Sequence, residues 1–267
     1  PDGTMQLSVY VIELLMRGER FKLVSLQNIQ SELEEKEMEA WQNLVNILTH
    51  EIMNSIAPIS SLAATLKGEL EQKLEQKEAL QPVDMEDFLM GVQTIEKRSE
   101  GLVSFVSDFR SLAHVPAPKF GSIGLESLFD QLELLLQHQL EQQGIRLVKE
   151  LEPKELILFG DQTQIEQVLI NLMHNAIQAL EDAPQKEIRL KGFIDEAGKI
   201  ILEVSDSGKG IEEEALEKIF IPFFTTKPKG SGIGLSLSKQ IMRRHKGNIQ
   251  VRSKLEEGTT VKLIFNG

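Results

Sequence analysis

Cysteine is absent from all 267 residues, so the chain holds no disulfide and no thiolate metal site, which suits a reducing compartment. No apolar run approaches the roughly 20 residues that a bilayer span requires. Basic residues are in deficit, 29 Lys and Arg against 41 Asp and Glu. The resulting net charge of -12 excludes broad attraction to nucleic acid or to an anionic membrane. Any phosphate ligand must therefore be held by local groups. Neither an initiator Met nor a signal-peptide pattern stands at Pro1, so the chain reads as a fragment of something longer, with the cytoplasm as its expected location. No repeat of fixed period occurs, and no low-complexity tract beyond the charged stretch 67–78.

What is present exceeds one average domain in length. Residues 7–15 and 20–26 are β-prone runs joined by Met16-Arg17-Gly18-Glu19, a connection compatible with a hairpin. A lone hairpin is marginal in water and needs a sheet or a mate to cover it. From Ile29 to about Leu74, apolar residues recur at spacings of three and four and predict one long helix with a single apolar stripe. The acidic run Glu32 to Glu39 reads as a solvated face. Glu78 to Val83 reads as a connection, with Pro82 ending the first helix and Asp84 capping a second that runs to about Ala113.

An antiparallel helical hairpin of this kind cannot bury its stripe from both sides. Two hairpins packed as a four-helix bundle across a two-fold axis solve the problem, so a homodimer is expected. His114-Val115-Pro116-Ala117-Pro118 reads as a linker, and the segment 114–121 is expected to let a second domain swing. Beyond it, helical patterns at 125–143, 161–182, 212–219 and 233–246 interleave with strand-like runs at 145–151, 155–159, 187–194, 199–205, 248–254 and 259–265. The fold class expected is α+β, a dimeric helical bundle followed by an α/β sandwich.

His50 lies two positions after Leu48 and two before Ile52, which at about 100° per residue turns it away from the stripe and toward water. Asn54 shares its face one turn on, and Glu51 reaches sideways toward the imidazole. A carboxylate on one ring nitrogen makes the other more nucleophilic and stabilises the cation formed on phosphorylation. An amide one turn away can orient a water for the reverse hydrolysis. Taken alone, an exposed helical His beside a Glu is commonplace.

Asn171 and Asn175, one turn apart, project from one helical face, an arrangement suited to a metal–phosphate complex and equally to a solvated surface. Asp206 follows a strand and precedes the turn Ser207-Gly208-Lys209-Gly210, where an acceptor carboxylate meets a backbone that a planar ligand can approach. Gly230-Ser231-Gly232-Ile233-Gly234-Leu235 stands immediately before an apolar-periodic helix, whose free N–H groups suit phosphates.

In this order the segments resemble the sensor histidine kinases, whose ATP-binding domain belongs to the superfamily shared with DNA gyrase, the Hsp90 chaperones and the MutL repair proteins. The likeness spans roughly residues 30–267: His50-Glu51-Ile52, QVLINLMHNAIQAL, DSGKGI, IFIPFFTTK, GSGIGL and GTTVKLIF. It implies that His50 is the phosphoacceptor, Glu51 its partner base, and Asn54 the amide of a phosphatase motif. Asn175 would ligate magnesium, with Asn171 a second contact to the ATP complex. Asp206 would accept from the adenine amine, with Gly208 and Gly210 letting the base approach and Thr259 or Thr260 completing the pocket. Gly232 and Gly234 would cradle the phosphates beside Ser231 and Leu235.

Residues 222–232 would form a lid anchored by Phe223 and Phe224, with Lys227 offsetting phosphate charge. The partner implied is a response regulator receiver domain. The location implied is cytoplasmic, including the cytosolic part of a membrane-bound sensor, with no membrane contact within the fragment. The domains expected are 1–28, the end of a PAS-like sensor; 29–115, a linker helix and phosphotransfer hairpin; and 116–267, the ATP-binding domain.

The chain departs from the commonest family pattern in carrying Ser55 where many members have proline, with Pro58 three residues later. Two other readings compete: a clamp ATPase of the same superfamily, and a dimeric scaffold without catalysis. Phosphohistidine excludes the first; loss of ATP binding would favour the second.

Overall fold

A computed structural model describes residues 7–16, 19–28, 30–76, 81–227 and 230–266. The chain divides into two compact units, Pro1–Leu102 and Val103–Gly267. In the first, the β-prone runs form β1 (Leu7–Met16) and β2 (Glu19–Asn28), antiparallel with Met16 opposite Glu19. The turn residues 17 and 18 lie outside the described residues. Both faces of the ribbon are apolar: Val9 and Val11 on one, Tyr10 and Ile12 on the other, each more than half exposed.

The three-and-four spacing becomes α1 (Gln30–Gln76), with Pro58 inside it. Proline has no N–H, so the Asn54 carbonyl loses its usual helical donor. The side chains of the acidic run 32–39 lie outside the described residues. Of the stripe, Ile52, Ile59 and Leu66 are half-buried, while Ile56 is 43% and Leu74 77% exposed.

Pro82 does not end the first helix; it opens α2 (Pro82–Ala113). Proline fits the first helical position, where its missing N–H has no intrahelical partner to lose. Asp84 caps from inside, its Oδ2 accepting the Gln81 N–H (2.8 Å) and pairing with Lys73 (2.8 Å). Residues 78–80 of the expected connection lie outside the described ones. Gly91 lets the two helices approach, since a Cβ there would stand 2.9 Å from both Leu66 methyls. No described helix is long and apolar enough to cross a membrane.

In the second unit, leucines at 125, 128, 132, 136 and 140 bury one side of α3 (Leu125–Gln143). Two short strands, β3 (Gly121–Gly124) and β5 (Ile157–Gly160), pair antiparallel beside it. β4 (Arg146–Glu152), β6 (Glu187–Ile194), β7 (Ile200–Asp206), β8 (Asn248–Lys254) and β9 (Gly258–Phe265) form a sheet of order β4-β6-β7-β9-β8. Only β4 and β6 run parallel within it. The sheet's buried face meets α4 (Gln162–Ala179) and α6 (Gly234–Arg244), with Leu169, Met173, Leu190, Leu202 and Leu263 at the centre. The helix expected at 212–219 is the four-residue α5 (Glu213–Leu216).

The proline segment has no regular structure, but it is pinned rather than free to swing. Val115 is buried, the Pro116 carbonyl accepts from Gln164 Nε2 (3.1 Å), and the Lys119 N–H donates to Asp161 Oδ2 (2.7 Å). Asp161 also caps α4, Oδ1 accepting the Gln164 N–H (3.1 Å). Its own N–H donates to Nε2 of buried His245 (3.0 Å), whose Nδ1 donates to the Ile241 carbonyl (2.9 Å). Burial works to raise the Asp161 pKa, yet these N–H donors and the nearby His245 hold it below the usual carboxylate value. Asp161→Ala removes a cap and orphans the Lys119 N–H together. A loss of about 2 kcal/mol is expected in denaturant unfolding of the second unit, shrinking as acid protonates the parent carboxylate.

Candidate functional site

Two sets of groups carry chemistry, one in each unit. On α1, the His50 side chain is 74% exposed, as its position off the stripe predicts. Asn54 Nδ2 donates to His50 Nδ1 at 3.0 Å, whereas Glu51 Oε1 lies 3.8 Å from the same nitrogen, too far for a direct hydrogen bond. Both neighbours therefore address Nδ1, and Nε2 points to solvent. A half-turn of the Asn54 amide would let Oδ1 accept from Nδ1–H, leaving the lone pair on Nε2.

In the second unit, Asn171, His174, Asn175 and Gln178 follow one another at helical spacing on α4 and line a cleft of about 710 Å³. That volume suits a nucleotide-sized ligand. Asn171 Nδ2 donates to the Gly234 carbonyl (3.4 Å), tying α4 to the start of α6.

Asp206 ends β7 opposite Thr259 of β9. Its Oδ1 accepts the Gly208 N–H (2.9 Å). Burial, the largest influence, pushes its pKa above the usual carboxylate value, against the pull of the Gly208 and Thr259 N–H groups and the Lys227 charge. Strand alternation separates the two threonines. Thr259 is buried and lines the cleft; Thr260 faces the other side, its hydroxyl 3.0 Å from Ser205 Oγ.

Gly208 and Gly210 owe their lack of a side chain to the protein itself. A Cβ at 208 would meet the Ala179 carbonyl at 2.6 Å, and one at 210 the Lys254 carbonyl at 2.2 Å, where φ is also +72°. Gly210 lines the cleft and Gly208 lies just behind Asp206.

Residues 224–227 and 230–232 line the cleft, residues 228 and 229 lying outside the described ones. Gly232 has φ +68°, and a Cβ there would stand 2.5 Å from the Phe223 backbone. Phe223, itself at φ +65°, donates its N–H to the Gly232 carbonyl (3.0 Å). The Phe223 ring packs on Phe105 and Phe109 of α2, centroids 5.3 and 6.3 Å away, while Phe224 lines the cleft. Ser231, Gly232, Gly234 and Leu235 line it at the N-terminus of α6. Lys227 Nζ donates to Gln178 Oε1 (3.0 Å) and Asn175 Oδ1 (3.3 Å).

Sequence reasoning missed Gln178, Lys209 and Ser104 in the lining and Phe105 and Phe109 against Phe223. Gln178 was within reach of the helical period, seven positions after Asn171. The α2 residues carried no signal, because their contacts are distant in sequence.

The donor set fits a metal–nucleotide complex better than a free metal. Among the described residues no cluster of three His, Cys, Asp or Glu could hold an ion. Asn175 offers one neutral oxygen, and magnesium ordinarily completes its shell with phosphate oxygens and waters. The start of α6, at the edge of the cleft, presents N–H groups of the kind that suit phosphates.

The family model described as histidine kinase-, DNA gyrase B- and HSP90-like ATPase matches residues 160–266. Sporulation kinase A of Bacillus subtilis (strain 168) is 35% identical over 143 residues, which is 54% of this chain and 23% of that protein. The chain thus spans less than a quarter of that relative's length. The solved catalytic domain of the histidine kinase ThkA is 34% identical with a TM-score of 0.50, covering 55% of this chain and 95% of that domain. The complex of histidine kinase ThkA with the response regulator protein TrrA matches over 96% of this chain and 78% of that one, TM-score 0.57. At 21% identity that second likeness concerns the fold, helical hairpin and sheet domain together.

Proposed function

The chain belongs to the sensor histidine kinases, and from that premise we propose that it transfers the γ-phosphoryl group of ATP to His50 and passes it to an aspartate of a response regulator. The observation that carries this reading is the pairing, in one chain, of an exposed His50 with a cleft that joins Asp206, the amide face of α4 and the glycine-rich start of α6.

In the step proposed, Nε2 attacks the γ-phosphorus, the bond to the bridging oxygen breaks, and ADP leaves with that electron pair. Nδ1–H then loses its proton toward Glu51, while the Asn54 amide orients the ring. Asp206 and Thr259 hold the adenine edge, which gives the purine preference. Of the residues lining the cleft, Asn175 would hold magnesium with Asn171 beside it, and Lys227, Ser231, Gly232, Gly234 and Leu235 would surround the phosphates. When bound, magnesium neutralises charge on those oxygens. Asn54 also supports hydrolysis of the regulator's phosphoaspartate, so the enzyme is bifunctional.

Exposed Met53, Ile56, Met85 and Leu89 along the two helices favour a homodimer that covers them. The regulator partner is favoured by the ThkA–TrrA complex, whose fold the chain shares. Residues 1–28 are assigned to the end of a PAS-like sensor, 29–115 to the phosphotransfer hairpin and 116–267 to ATP binding, all of it cytoplasmic. Because 114–120 is pinned and Phe105 and Phe109 pack on Phe223, movement of the ATP-binding part is assigned to α2 upstream of Phe105.

Incubation of the chain with γ-labelled ATP and magnesium is expected to give base-stable, acid-labile label. ATP turnover without any protein-bound label would instead indicate a clamp ATPase.

A further inference from the structure

Lys227 is held at both ends. Its N–H donates to Thr225 Oγ1 (3.0 Å), and its carbonyl accepts from the Thr225 hydroxyl (3.3 Å) and the Gly230 N–H (3.2 Å). Gly230 packs closely on Thr225, since a Cβ at Gly230 would stand 2.6 Å from that hydroxyl. At the other end the ammonium meets Gln178 Oε1 at 3.0 Å, Asn175 Oδ1 at 3.3 Å and, more weakly, the Asn175 carbonyl at 3.5 Å.

Asn175 Oδ1 thus faces two claims. The same oxygen is the magnesium ligand of the reading above, and an ammonium and a divalent cation sharing it repel one another. Gln178 offers a position that avoids the conflict, because its oxygen lies one turn along the same face and binds the ammonium without neutralising it. In a chain of net charge -12, a cation kept at full charge beside a triphosphate matters.

We propose that Gln178 is a positioning residue that keeps the Lys227 ammonium beside the β- and γ-phosphates of a nucleoside triphosphate while the metal takes Asn175. This role rests on the nucleotide reading of the cleft. Gln178 is exposed, so its truncation leaves the core untouched.

The first measurement needs no nucleotide: site-resolved acylation of Lys227 by an amine-reactive ester, followed by mass spectrometry. Gln178→Ala is expected to speed labelling about fivefold, whereas Gln178→Glu, which keeps the acceptor, leaves it as slow as the parent or slower. The second is ATP affinity by calorimetry with magnesium. Gln178→Ala is expected to weaken it about fivefold and Lys227→Met about thirtyfold, with the double variant no weaker than Lys227→Met alone. Gln178→Glu is expected to weaken it too, because a carboxylate neutralises the ammonium it holds; a merely structural side chain would tolerate that exchange.

Unchanged Lys227 labelling in Gln178→Ala, or single effects that multiply in the double variant, would overturn the proposal. A parent chain that labels as expected yet binds no ATP would overturn the nucleotide reading instead, and with it the purpose given to the contact.

Discussion

Exchange of His50 for Gln is expected to abolish base-stable phosphorylation, by at least about a thousandfold, while ATP affinity stays at the parent value. The imidazole is the nucleophile of the proposed step, and an amide nitrogen, its lone pair delocalised, cannot replace it. Glutamine is a good helix former, and a side chain 74% exposed supports no core, so the loss cannot be ascribed to unfolding. The nucleotide cleft is built from residues of the other unit and keeps its lining. The check is parallel: label incorporation by autoradiography, ATP binding by calorimetry. Label persisting on another residue of the variant would remove His50 from the mechanism.

The second large effect concerns Asp206. Asp206→Asn is expected to weaken ATP binding about a hundredfold, because a hydrogen bond from the adenine amine to a carboxylate becomes an encounter with an amide. Stability should move differently. Burial raises the Asp206 pKa, so the native state binds this proton more tightly than the unfolded chain does. Ionisation therefore costs stability as pH rises above the ordinary carboxylate range, and the cost disappears in acid. At neutral pH the variant should be no less stable than the parent, the gap closing as pH falls. Thermal unfolding across pH, beside calorimetric titration with ATP, tests both halves; a variant that binds ATP normally would sink the base-pocket assignment.

Much of the fold and of the site is legible in the amino-acid sequence because the signals are local. Helical spacing places α1, α3 and α4 to within a few residues, and the motif order carries the chemistry. β3 escapes because Gly121 to Gly124 holds one apolar residue, Ile123, and exists as a strand only through pairing with residues 157–160. Pro82 misleads because proline stops a helix and starts one equally well. Thr259 and Thr260 are indistinguishable in sequence, and only the register against β7 assigns one to the cleft. The freedom expected of 114–121 fails for the same reason: the bonds that pin it come from Asp161 and Gln164, more than forty positions away.

The bond from Gln164 to the Pro116 carbonyl and the stack of Phe223 on Phe105 and Phe109 also decide where nature or an engineer can cut and rejoin such a chain. Prolines 116 and 118 advertise a seam, but a splice between them would carry the ATP-binding half away without the Pro116 carbonyl to which Gln164 of α4 donates. It would also strand Phe223 without Phe105 and Phe109. The interchangeable part begins earlier, inside α2 and ahead of Phe105. Recombination between members of this architecture is therefore constrained to join helix to helix rather than loop to loop.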